Sequence, residues 1–194
     1  MSEGFRLHLL RHGAPEVPGL LLGRSDAAPT PGGIAACVER TRDLAVEAIV
    51  SSDLSRAAAA AGAIAESRNL KSTSDPRWRE LDFGIWDGRA PHEIDAQALA
   101  RFWDDPDAYA PPQGERWSDL VARVGTAIGE LSPRDTLIVT HGGAMRAALS
   151  VLCGFDHRFG WALDLPYAAL LTFRVWPGDR PGDRPAGQVV GLRT

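Results

Sequence analysis

"DTLIVTHGGAMRAALSVLCG", residues 135–154, decides the fold. Its opening "DTLIVT" (135–140) reads as a strand, and "GAMRAALSVLCG" (143–154) has helical composition. A strand that passes directly into a helix is the repeating unit of α/β proteins with a parallel sheet. The same alternation runs outward in both directions. "FRLHLL" (5–10), "AVEAIVSS" (45–52) and "ALLTFRVW" (169–176) read as further strands, and "QVVGL" near the C-terminus as a last one. "GGIAACVERTRDLA" (32–45), "SRAAAAAGAIAESRN" (55–69) and "WSDLVARVGTAIGELS" (117–132) read as helices. The expected fold is therefore α/β, a three-layer α/β/α sandwich around a mainly parallel central sheet. Residues 76–116 break the alternation. They are rich in Trp, Pro, Asp and Gly, with a short helix at "PHEIDAQALARFW" (91–103), and predict a small cap over one end of the sheet. "PGDRPGDRP" (177–185) predicts an elongated turn between two C-terminal strands.

With 194 residues, 44% hydrophobic and 24% charged, the chain fits one domain over residues 1–194 with a sizeable core. A net charge of −4 argues against a general affinity for nucleic acid or anionic membrane, so the arginines have to be read locally. Cys37 and Cys153, two and far apart, fit reduced thiols rather than a disulfide framework. No apolar stretch approaches the ~20 residues of a membrane span, and "LHLL" is too short for a signal-peptide core. A cytoplasmic location is expected, with no nucleic-acid or membrane partner and the oligomeric state left open.

His12 follows the first strand and His141 follows "LIVT", each just before a glycine. In open α/β sheets ligands bind at the carboxyl ends of strands, where glycine allows close backbone approach and a helix N-terminus offers free N–H groups. "EAIVSS" runs into "DLSRA" and brings Arg56 to the same edge, so Arg11 and Arg56 flank the two histidines. Two guanidiniums, two imidazoles and helix-terminal amides suit a phosphoryl group. His8, His92 and His157 read as capped or solvated, Arg146 as structural, and Trp103, Trp117, Trp161 and Trp176 as packing residues. Trp86 and Trp103 are the tryptophans placed to line a pocket for a bulky substrate.

Four ordered blocks, "LLRHG", "SSDLSRA", "RELDFGIWDG" and "VTHGGAMR", resemble the signatures of the histidine phosphatase superfamily, of phosphoglycerate mutase-like fold. Within it, "PRWRELDFGIWDGRAPHEI", "PPQGERWSDLVARV" and "LPYAALLTF" are similar to alpha-ribazole phosphatases and related small-molecule phosphatases. "GRSDAAPTPGG" (23–33) matches a further family stretch. Ala14, Pro15, Pro18, Ala60 and Arg116 stand where the family often has other residues. The resemblance implies metal-independent and cofactor-independent hydrolysis of a small phosphorylated metabolite, with alpha-ribazole 5′-phosphate of cobalamin biosynthesis as the candidate. It implies His12 as nucleophile and Glu80 as proton donor, with Arg11, Arg56, His141 and Gly142 stabilising the phosphoryl oxygens and Gly13, Gly23 and Arg24 on the substrate side. A histidine beside two arginines favours its neutral form, and a backbone carbonyl is expected to fix its tautomer. A carboxyl among Trp78, Phe83 and Trp86 would be poorly solvated, which favours the protonated acid that a leaving oxygen needs. The alternatives are mutase-type phosphoryl transfer, against which the compact chain argues, and a catalytically silent protein that binds phosphorylated ligands.

Overall fold

A strand that is apolar at every position has no solvent face and needs helices on both sides of its sheet. The computed structural model of the chain, which describes residues 4–178 and 185–194, shows how this sequence meets that need. β4 (Thr136–Thr140) is buried throughout. Leu137 and Val139 point into one hydrophobic cluster, shared with Cys37, Ala57, Ala61 and Ile64, while Ile138 points into the other, with Leu120, Val124, Ala148 and Leu149. The period-2 alternation of a strand thus splits one apolar run between two cores. α1 (Pro31–Thr41) and α2 (Ser55–Ser67) cover the first face, α4 (Trp117–Gly129) and α5 (Gly142–Cys153) the second.

The sheet has six strands in the order β3 (Ser72–Ser74), β2 (Ala48–Ser51), β4, β1 (Phe5–Arg11), β5 (Leu170–Trp176), β6 (Ala186–Arg193). β3, β2, β4 and β1 pair in parallel; β5 is antiparallel to β1, and β6 to β5. The expected three-layer, mainly parallel architecture is the one observed. Element ends shift by a few residues. α1 starts at Pro31 because the Thr30 hydroxyl accepts the Gly33 amide, and it stops at Thr41 rather than running to 45. β3 and the short α6 (His157–Trp161) were not foreseen in the sequence.

Residues 76–116 form the expected cap: three single-turn 3-10 helices, Pro76–Trp78, Gly84–Trp86 and Pro91–Glu93, then α3 (Ala96–Asp104). The cap is tied to the carboxyl edge of the sheet, where the Asp75 amide donates to Ser51 O and the Thr140 hydroxyl to Trp78 O. Of the turn expected over 177–185, residues 179–184 lie outside the described residues.

Candidate active site

Because β1 and β4 are parallel neighbours, the residues that follow them emerge side by side. The His12 and His141 rings lie 5.0 Å apart, centroid to centroid, at 63°. The His12 backbone is held at both ends: its amide donates to Thr140 O at 2.8 Å, and its carbonyl accepts from Ala168 N at 3.2 Å. Its Nδ1 lies 2.7 Å from the Gly13 carbonyl, which only accepts, so Nδ1 carries the proton and Nε2 keeps its lone pair for the cavity that His12 lines. The imidazole pKa falls to about 3, chiefly through burial, with Arg56 and Arg11 adding to the shift and the Gly13 carbonyl opposing it. The neutrality expected from the sequence is present, but burial, rather than the neighbouring cations, is its main cause.

His141 is fully buried and caps the start of α5, and burial followed by His12, Arg56 and Arg11 drives its pKa well below the ordinary value. Neither of its ring nitrogens has a hydrogen-bond partner among the described residues, and neither do the Nε atoms of Arg11 and Arg56. A buried donor without a partner is costly, and a neutral imidazole has one N–H, so the three unpartnered donors of His141, Arg11 and Arg56 are suited to an anion beside His12. Arg11 sends Nη1 to Leu165 O and lies 4.4 Å above the Tyr167 ring. Arg56 is fully buried and spends both terminal nitrogens on the carbonyls of Ser25, Leu22 and Gly23. It therefore offers the site its charge and Nε only, while its fork shapes the 22–25 loop.

Glu80 stands across the cavity on the cap side. Its Oε1 accepts the Leu81 amide at 2.8 Å, and its Oε2 accepts the Gly143 amide in the first turn of α5 at 3.0 Å. Arg77 and Arg79 are engaged elsewhere, with Asp75 and Glu130 and with Asp53, and leave this carboxyl unpaired by a cation. Arg123 of α4 positions the segment that carries it. One guanidinium donates to the carbonyls of Arg77, Arg79 and Glu80 and pairs with Glu115 through Nε and Nη2 at 2.7 and 2.9 Å.

A neutral imidazole with one nitrogen free, ringed by cations and facing a carboxyl across a cavity, is an arrangement suited to a phosphoryl group. The sequence profile of the histidine phosphatase superfamily (branch 1) matches residues 7–181. The chain belongs to this superfamily. A Proteus mirabilis protein named probable phosphoglycerate mutase is 32% identical over 164 residues, which span 77% of this chain and 75% of that protein. The solved mycobacterial glucosyl-3-phosphoglycerate phosphatase superposes with a TM-score of 0.83 at 27% identity, over 95% of this chain and 96% of that one. A putative alpha-ribazole-5′-P phosphatase of Escherichia coli shares the fold at 21% identity, with a TM-score of 0.81 over 98% and 96% of the two chains.

In this member of the superfamily the cavity is lined by Arg11, His12, Glu80 and Gly142, with His141 and Arg56 packed behind them. Gly13, Gly23 and Arg24 do not line it. At Gly13 a Cβ would collide with the Gly33 carbonyl, so this glycine lets β1's exit cross α1. Gly23 packs against Leu81 and Asp82, and its amide, with those of Arg24 and Ser25, donates to the Asp87 carboxylate. The Arg24 side chain is 62% exposed and pairs with Asp82 at 2.6 Å. Among the described residues no group of three His, Cys, Asp or Glu is placed to hold a metal, and no helix is long and apolar enough to cross a membrane.

Several readings of the superfamily member's outer residues change. Arg146 and Tyr167 line the cavity, and so do Trp117 and Trp161; Trp103 lines it as expected of the cap, whereas Trp86 is a core residue against Phe102. The signals were in the sequence. Arg146 is one helical turn beyond Gly142, and Tyr167 precedes a strand antiparallel to β1, whose start therefore falls at the carboxyl edge. His8 is neither capped nor solvated: it is buried in β1, 3.0 Å from the Thr172 hydroxyl. His92 is exposed, and the His157 ring donates to Asp104 O.

Proposed function

We propose that the protein is a metal-independent phosphomonoester hydrolase that works through a phosphohistidine on His12. One observation carries this reading: the Gly13 carbonyl fixes the His12 tautomer, leaving a neutral Nε2 beside unpartnered cationic and imidazole donors. The Nε2 lone pair bonds to phosphorus as the P–O ester bond breaks, and Glu80 gives its proton to the leaving oxygen. Arg11, Arg56, His141 and the α5 amides stabilise the charge on the three equatorial oxygens. Water then attacks phosphorus, Glu80 takes up its proton, the N–P bond breaks, and His12 and inorganic phosphate are released.

The finer reading is alpha-ribazole 5′-phosphate as substrate, in a cytoplasmic route to cobalamin, supported by the resemblance of "LPYAALLTF" and the cap sequence. Relatives named probable phosphoglycerate mutase favour a second reading, in which the phosphoryl group returns to the substrate. A single set of assays separates these. Hydrolysis of 4-nitrophenyl phosphate is expected to survive EDTA and to vanish in His12→Ala, and an acid-labile labelled phosphoenzyme is expected in wild type alone. Activity in His12→Ala, or its loss with EDTA, overturns the mechanism. Interconversion of 3- and 2-phosphoglycerate without phosphate release establishes the mutase, ligand binding without turnover establishes the silent protein, and no preference for alpha-ribazole 5′-phosphate over sugar phosphates retires the finer reading.

A further inference from the structure

Beyond the phosphoryl end, the cavity changes character. Its charged lining is confined to Arg11, Glu80 and Arg146, which with the neutral His12 and Tyr167 surround the reacting group, and most of the other side chains are apolar. Trp161 forms the centre of that wall, with Trp103 edge-on at 4.8 Å and Trp117 at 6.3 Å; Phe102 stacks behind Trp103 at 4.7 Å. The Arg146 guanidinium lies flat over the Trp161 ring at 4.7 Å, with donors committed to the carbonyls of Gly142, Gly160 and Leu163. The indole Nε1 of Trp161 is buried and has no acceptor among the described residues. The cavity, phosphoryl end included, encloses about 170 Å³, which leaves room beside the phosphoryl group for a small alcohol only.

We infer that this site selects phosphomonoesters whose alcohol is compact, flat and uncharged, and that it rejects esters whose alcohol carries a carboxylate. The inference rests on the hydrolase reading and narrows its substrate class. A planar ring matches walls of tryptophan and phenylalanine edge and face. A carboxylate in the same place loses its water against those walls, and Arg24, a cation that could have met it, is turned outward to Asp82. The glycerate esters named for the relatives fall outside this class.

The test compares alkyl leaving groups, so that leaving-group acidity does not decide the outcome. Benzyl phosphate is expected to exceed 3-phosphoglycerate in kcat/KM by about a hundredfold, on the scale of apolar pocket discrimination. In Trp161→Ala the benzyl preference is expected to fall. Each readout is a ratio on one preparation, so a partly unfolded variant does not imitate the result. Benzyl and glycerate esters hydrolysed within threefold of each other overturn the selectivity alone, and so does an unchanged benzyl preference in Trp161→Ala. If no ester, 4-nitrophenyl phosphate included, is turned over, the hydrolase reading itself falls.

Discussion

At the scale of single residues, the site turns on a contact that only glycine permits. The Glu80 carboxyl lies against the Cα of Gly143, and a Cβ there would overlap Oε1. The obstructing atom is the far end of a flexible side chain, so Gly143→Ala is expected to move Glu80 and spare the fold, since alanine suits a helix better than glycine. Proton donation is typically worth about a hundredfold to ten-thousandfold. The kcat for benzyl phosphate should therefore fall at least about a hundredfold, with a smaller loss for 4-nitrophenyl phosphate, whose leaving group needs little protonation, and with the melting temperature unchanged or raised. Equal losses on both substrates would remove Glu80 from the role of acid. The two glycines of "THGG" were visible in the sequence as a helix start beside a ligand, but their separate duties were not. Gly142 faces the guanidiniums of Arg11 and Arg146, and Gly143 faces Glu80, a distinction that exists only once segments 63 residues apart have met.

At the scale of elements, the strands and helices that could be read from the sequence are those with a continuous apolar run, a helical composition or a regular apolar period. β4, α2, α4 and α5 are of this kind. β3 is Ser-Thr-Ser, exposed at all three residues, and α6 is five residues long, so neither carries a period to detect. The cap was legible as a break in pattern, yet what fixes its catalytic carboxyl was not, because one arginine on a surface helix gives no local sign that it gathers three carbonyls. Arg123 does so, and Arg123→Lys is expected to lose the fork that reaches Arg77 O, Arg79 O and Glu80 O while keeping the charge beside Glu115. Hydrogen bonds to charged groups contribute about 1.5–3 kcal/mol each. A stability loss of about 2 kcal/mol by urea denaturation should accompany a fall in kcat that exceeds any change in KM, because the acid is displaced and the phosphoryl cage is untouched. A variant with full kcat would show that the Glu80 segment holds its place without the clamp.

Across the whole molecule, three histidines lie in or just beyond adjoining strands and are buried neutral. His8 has its pKa lowered to about 4 and His12 to about 3, burial being the largest cause for each. His141 is lowered well below the ordinary value, again by burial first. In the unfolded chain the same rings take up protons near pH 6.5. Protons therefore favour the unfolded state between about 6.5 and the folded values: the stability is fully present above pH 6.5 and is lost as the pH falls toward 4. Each ring that stays neutral contributes about 2 kcal/mol to the loss between pH 7 and pH 5, on the order of 5 kcal/mol for the three, a large part of the roughly 5–15 kcal/mol that holds a domain together. The urea midpoint is expected to drop steeply over that interval. His8→Asn, which removes a titrating ring remote from the phosphoryl cage, should reduce the slope by about one proton. His12, the proposed nucleophile, has its pKa lowered to about 3, so protonation of that ring does not set the acid limit of catalysis, and activity should disappear along the same curve as near-UV circular dichroism. Activity that fell near pH 6 in a fully folded enzyme, on a substrate already dianionic there, would mean that His12 is more open to water than its place behind Tyr167 and between β1 and β4 allows.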